Sequence, residues 1–137
     1  MKQPILIIED NEQTLYLLTF ILKKHEYEVV QARDGRAGIE LAGRVEPALI
    51  LLDIQLPVLD GYAVARELRS NAALADVPII AVTSYAMVGD RERILAAGCS
   101  GYIEKPIDPD TFMSQIEQCL APDRRMKEAG HDKNPDR

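Results

Sequence analysis

The sequence predicts an α/β domain in which a parallel sheet is covered by helices on both faces, and three observations carry that expectation. Short β-branched or aliphatic runs alternate along the chain with stretches whose apolar residues recur at helical spacing. The most apolar run, Ala48-Leu49-Ile50-Leu51-Leu52, shows no alternation of polar and apolar residues, as a strand buried on both faces requires. The chain has 137 residues, 47% of them hydrophobic and only 5% aromatic, enough aliphatic side chain for one core and one domain.

The elements follow in order. Ile5-Leu6-Ile7-Ile8 reads as a strand cut off by Glu9-Asp10-Asn11, and Leu15, Leu18 and Leu22 mark one face of the helix after it. Tyr27 to Gln31 is a second strand. Asp34-Gly35 opens a helix to about Arg44, with Ala37 and Leu41 four apart. After the third strand, Ala48 to Leu52, come a helix from about Tyr62 to Ser70, a strand from Val77 to Val82, and a helix that Gly98 terminates. Gly101 to Glu104 forms the fifth strand. The last helix starts with Asp108 as cap and Pro109 at its first position, and buries Phe112, Ile116 and Leu120. Alternating strands and helices imply right-handed crossovers. Residues 1–120 are therefore read as the domain. Residues 121–137, polar and mixed in charge, are read as a flexible tail because they offer too little apolar surface to offset ordering entropy.

Charge and cysteine usage narrow the function. Sixteen basic against 22 acidic residues leave a net charge of -6, which argues against a nucleic-acid partner held by its phosphate backbone. Cys99 and Cys119 have no neighbouring ligand cluster and read as reduced, half-buried thiols in a cytoplasmic protein. The Ile5–Ile8 run is too short for a signal-peptide core or a membrane span.

In an open parallel sheet the functional crevice lies beyond the carboxyl ends of the strands. Four of the five predicted strand ends carry reactive groups: Glu9 and Asp10 after the first, Asp53 after the third, Thr83 after the fourth and Lys105 after the fifth. Three carboxylates in one crevice repel one another unless a cation neutralises them. Magnesium suits such an oxygen-rich set, with a backbone carbonyl near Gln55 as a further ligand, while the lack of a His or Cys cluster disfavours zinc. Lys105 can balance a phosphoryl oxygen, with the Thr83 hydroxyl and the Ser84 backbone N–H as donors. A plain salt bridge from Lys105 and a local turn at Thr83 are the alternative on these residues alone.

These residues, Glu9-Asp10, Leu52-Asp53-Ile54-Gln55-Leu56-Pro57 with Asp60-Gly61, Thr83-Ser84 and Lys105-Pro106, resemble the receiver domain of two-component response regulators over residues 4 to 120. The resemblance implies a flavodoxin-like (βα)5 doubly wound sandwich with strand order 2-1-3-4-5. It implies that Asp53 is the phosphoacceptor, that Glu9, Asp10, Asp53 and the Gln55 carbonyl hold Mg2+, and that Lys105, Thr83 and the Ser84 N–H bind the phosphoryl group. It also makes Pro106 a cis-proline candidate, and Thr83 and Tyr102 a coupled switch. Thr83-Ser84-Tyr85-Ala86-Met87 and Gly89-Asp90-Arg91-Glu92 look most like stand-alone cell-cycle receivers and the receivers of hybrid kinases. Ser84 stands where the family usually has Ala, and Gln55 occupies a side-chain position that varies and influences phosphate lifetime.

The implied function is a single-domain regulator rather than an enzyme. Asp53 takes a phosphoryl group from a histidine kinase or histidine phosphotransfer protein, and the signal leaves through the face of the fourth helix, fifth strand and fifth helix. Seventeen residues after Leu120 are too few for an output domain, so protein contact is the expected output, with a fragment of a hybrid kinase as the alternative. An aspartyl-phosphate phosphatase of haloacid-dehalogenase type would carry a second Asp where Gln55 stands. A nucleotide-binding domain would carry a glycine-rich loop in place of Glu9-Asp10-Asn11, and a receiver acting only as a docking surface would not need Asp53, Thr83 and Lys105 together.

Overall fold

The computed structural model describes residues 3–84 and 88–118. Tyr85 to Met87, Cys119, Leu120 and the 121–137 segment read as a tail lie outside the described residues. Five strands, β1 (Ile5–Ile8), β2 (Val29–Ala32), β3 (Leu49–Asp53), β4 (Ile79–Thr83) and β5 (Gly101–Glu104), form one parallel sheet in the order β2-β1-β3-β4-β5. The helices are α1 (Glu12–Lys24), α2 (Gly35–Val45), α3 (Gly61–Arg69) and α4 (Val88–Ala96), with α5 described over 112–118. The expected doubly wound sandwich and its strand order are therefore present.

Every residue of β1, β3 and β4 is buried, which explains their continuous apolar runs. Successive side chains point to opposite faces. Leu6, Ile8, Ile50, Leu52, Ile79 and Ala81 pack with Ala42 of α2, Val64, Ala65 and Leu68 of α3, and Ile94 of α4. Ile5, Ile7, Leu49, Leu51, Ile80 and Val82 pack with Leu15, Leu18, Ile21 and Leu22 of α1 and with Phe112 and Ile116 of α5. The sheet thus stands between two apolar layers.

Local polar groups start the helices close to the carboxyl end of the sheet. The side chains of Asn11, Asp34 and Asp60 accept hydrogen bonds from Thr14, Ala37 and Ala63 N–H at 2.9, 2.8 and 3.0 Å, each filling one of the free donors of a first turn. Gly61 brings α3 against the loop that follows Asp53. A Cβ there would lie 2.4 Å from Ile54 Cα and 2.6 Å from the Asp53 carbonyl oxygen, which no side chain can accept.

Several boundaries differ from expectation. The strands expected at Tyr27–Gln31, Ala48–Leu52 and Val77–Val82 each end one residue later, because the ladder runs on through Ala32, Asp53 and Thr83. A 3-10 turn at Ala72–Leu74, unforeseen in the sequence, is nucleated by the Asn71 side chain accepting from Ala73 N–H. Asp108 caps the last helix as expected, its carboxylate accepting from Asp110 N–H at 3.0 Å and its carbonyl from Phe112 N–H at 2.9 Å. The 109–111 stretch is a turn, and regular helix begins at Phe112 rather than Pro109. Cys99 is buried rather than half-buried, packed in the layer beneath α4. No helix among the described residues is long and apolar enough to cross a membrane.

Candidate functional site

The parallel strands deliver the expected residues to one place. Glu9 and Asp10 follow β1, Asp53 and Thr83 are the last residues of β3 and β4, and Lys105 follows β5. Glu9, Asp53 and Thr83 are buried at 1%, 3% and 1% exposure, values that an ion, a partner cation or a full set of hydrogen bonds must explain. Asp10 is exposed at the rim.

One carboxylate oxygen each from Glu9, Asp10 and Asp53 lies within 4.8 Å of the others. The Lys105 ammonium joins them, with Nζ 3.5 Å from Glu9 Oε2 and 3.7 Å from Asp53 Oδ1. Its backbone is fixed by donation from Lys105 N–H to the Thr83 carbonyl at 2.8 Å. Beyond it, the Lys105-Pro106 peptide is cis, as expected of Pro106. The lysine also borders a cleft of about 520 Å³ lined by Asn11, Thr14, Leu17, Ser84 and Pro106 among others.

The charges are only partly compensated. Glu9 Oε2 accepts from Asn11 N–H at 3.1 Å, whereas Glu9 Oε1 has no partner. Burial first, and then the negative charge of Asp53, raise the Glu9 pKa from the ordinary glutamate range to about 7, against the opposing pull of Lys105. A buried, orphaned carboxylate oxygen beside two further carboxylates fits a hard divalent cation, whose charge would relieve the repulsion.

Asp53 Oδ1 accepts from Gln55 N–H at 2.9 Å, which orients the carboxylate. The Gln55 side chain turns the other way, and its Oε1 accepts from Ser84 N–H at 3.3 Å. The donor expected to face a phosphoryl group is therefore already engaged. Sequence reasoning also missed the support that Asn11 N–H gives Glu9, since Asn11 was read only as part of the polar stretch that ends the first strand. Tyr102 lies one strand away, partly buried against the α4 layer, with the Arg91 guanidinium 6.0 Å from its ring centroid. It is not part of the carboxylate cluster.

A doubly wound sheet whose carboxyl end gathers three carboxylates, a threonine and a lysine has the architecture of an aspartate-centred signalling module. The chain belongs to the response regulator receiver domain family, whose model matches residues 5–117. It is 40% identical over 120 residues to the polar-differentiation response regulator DivK of Brucella ovis, a match covering 88% of this chain and 98% of that protein. Among solved structures, the receiver domain of the sensor histidine kinase PA1611 from Pseudomonas aeruginosa, described with a magnesium ion in its active-site cleft, is 36% identical with a TM-score of 0.80. That match covers 88% of this chain and 99% of the other. The chemotaxis protein CheY4 of Vibrio cholerae has a TM-score of 0.84 at 23% identity, covering 88% of this chain and all of that one, and shows the shared fold. The chain is accordingly a receiver domain of two-component phosphorelay signalling.

Proposed function

We propose that Asp53 is the phosphoacceptor of this receiver domain and that Glu9, Asp10, Asp53 and the Gln55 carbonyl hold Mg2+ beside it. The observation that carries this reading is the meeting of three carboxylates within 4.8 Å of one another, next to a lysine and with one buried carboxylate oxygen unpaired. The magnesium-bound cleft of the 36% identical receiver of PA1611 supports the choice of metal.

Bound magnesium would supply positive charge to the oxygens of the transferring phosphoryl group. The remaining work falls to the chain. Asp53, held by Gln55 N–H, attacks the phosphorus of a phosphohistidine, the P–N bond breaks, and the imidazole leaves as an acyl phosphate forms. Lys105 balances charge on a phosphoryl oxygen, and Thr83 offers its hydroxyl as a donor. The buried floor made by Glu9 and Asp53 limits water around the reacting carboxylate. The product is a conformational signal, so the protein acts as a regulator and not as a turnover enzyme.

The donor is a histidine kinase or histidine phosphotransfer protein in the cytoplasm. The output surface is formed by α4, β5 and α5, where Tyr102 responds to the position of Thr83 and a downstream protein docks. Likeness to DivK, named for polar differentiation, supports a role in signalling of that kind. The acidic charge gives no support to a nucleic-acid partner. We expect Asp10→Asn to lose most magnesium binding and to slow phosphoryl uptake from a small phosphodonor in parallel. An unchanged magnesium titration of this variant would reduce Asp10 to a rim residue with no part in the metal site.

A further inference from the structure

We infer that the Gln55 side chain is a displaceable latch that occupies the Ser84 N–H in the resting protein and must leave it before a phosphoryl oxygen can take its place. The inference deepens the phosphoacceptor reading and rests on it.

Gln55 connects the two loops that flank the crevice. Its backbone N–H donates to Asp53 Oδ1 at 2.9 Å, so the residue is tied to the phosphoacceptor. Its Oε1 accepts from Ser84 N–H at 3.3 Å, across 29 residues of sequence, from the loop beyond β4. Both residues are exposed. The contact therefore competes with water and with any anion that enters, and it is not locked in the core. At 3.3 Å it lies beyond the usual 2.7 to 3.2 Å of an N–H···O bond, as a weak and reversible contact should.

A neutral amide oxygen holding a backbone donor is readily outcompeted by a charged phosphoryl oxygen, because charge-assisted hydrogen bonds are the stronger class. The latch consequently does not forbid phosphorylation. It subtracts the strength of one neutral hydrogen bond from the affinity of the site for the phosphoryl group and ties Ser84 to the loop after β3 until that group arrives. Release uncouples Gln55 from Ser84 at the step in which Asp53 is modified. Gln55 is thus a positioning residue of the resting state as well as a neighbour of the metal.

The test uses the full chain with beryllium trifluoride, a mimic of the aspartyl phosphate, in the presence of magnesium, and amide hydrogen exchange at Ser84 in its absence. In Gln55→Leu, which has no acceptor, Ser84 N–H should exchange several-fold faster, and beryllium trifluoride should bind about 2- to 10-fold more tightly, the range of one neutral hydrogen bond. Gln55→Glu retains an acceptor oxygen and adds negative charge; it should keep Ser84 protected and bind the anion more weakly than wild type. Equal or weaker binding by Gln55→Leu, or tighter binding without faster Ser84 exchange, would overturn the latch while leaving the phosphoacceptor reading intact. If neither wild type nor Gln55→Leu binds beryllium trifluoride, the phosphoacceptor reading itself fails and the latch with it.

Discussion

The floor of the crevice and the α4–β5 side of the molecule are built differently. Glu9 follows β1 and Asp53 ends β3, the central strand of the sheet and one of its two neighbours, and every residue of these strands before them is buried aliphatic. Among its described side chains helix α4 buries only Ile94, and its two arginines lie over aromatic rings of neighbouring elements. The Arg93 guanidinium is 4.0 Å from the Tyr62 ring centroid, and that of Arg91 is 6.0 Å from Tyr102. Close-packed cores resist displacement, whereas contacts that face solvent can be exchanged for water at little loss. The difference teaches a division of labour: a rigid floor keeps the carboxylates in place, and a loosely attached flank can respond to what happens there.

The largest expected effect breaks the floor. Leu52→Ala removes a fully buried side chain next to Asp53 and should destabilise the protein by about 2–5 kcal/mol, read from denaturant unfolding. Arg93→Ala on the flank should lose only ~0.5–1 kcal/mol. Comparable losses for the two variants would refute the contrast between them.

A second prediction concerns charge in the floor. The Glu9 pKa is raised from 4.5 to about 7 by burial and by Asp53. Between those values the folded protein holds a proton that the unfolded chain has released, so metal-free stability should fall as pH rises through this window and level off above it. Thermal unfolding from pH 4 to 8 checks the sign. Glu9→Gln should flatten the slope, and magnesium added at pH 8 should raise the stability of wild type. A wild-type protein that grows more stable across the same window would contradict the account of Glu9.

A subtler change is expected on the flank. Tyr102→Ala should still accept a phosphoryl group, yet the change in the amide spectrum of α4 that accompanies phosphorylation should shrink, because the ring that links β5 to α4 is gone. An undiminished response in α4 would mean that the signal leaves Asp53 by another route.

Much of this was legible in the sequence, and the failures have physical causes. Ile5–Ile8 and Gly101–Glu104 are strands within the boundaries read from their composition. The ends of β3 and β4 were set one residue short because hydrophobic patterning stops at the last apolar side chain, while the ladder continues through Asp53 and Thr83. Those polar final rungs are the site residues themselves. The convergence of Glu9, Asp10, Asp53 and Lys105 was readable because parallel strands bring all their carboxyl ends to one edge. The Gln55–Ser84 contact was not, since it depends on how two loops 29 residues apart are placed. Nor was the start of regular helix at Phe112, since helical periodicity reports side-chain spacing and not the backbone geometry of a first turn.

The most direct test of the central claim is mass spectrometry of the whole protein after incubation with a small phosphodonor and magnesium, followed by peptide mapping. Wild type should gain one phosphoryl group, located on Asp53, and Asp53→Asn should gain none. A phosphoryl group of equal yield on another residue, or an undiminished gain in Asp53→Asn, would contradict the account.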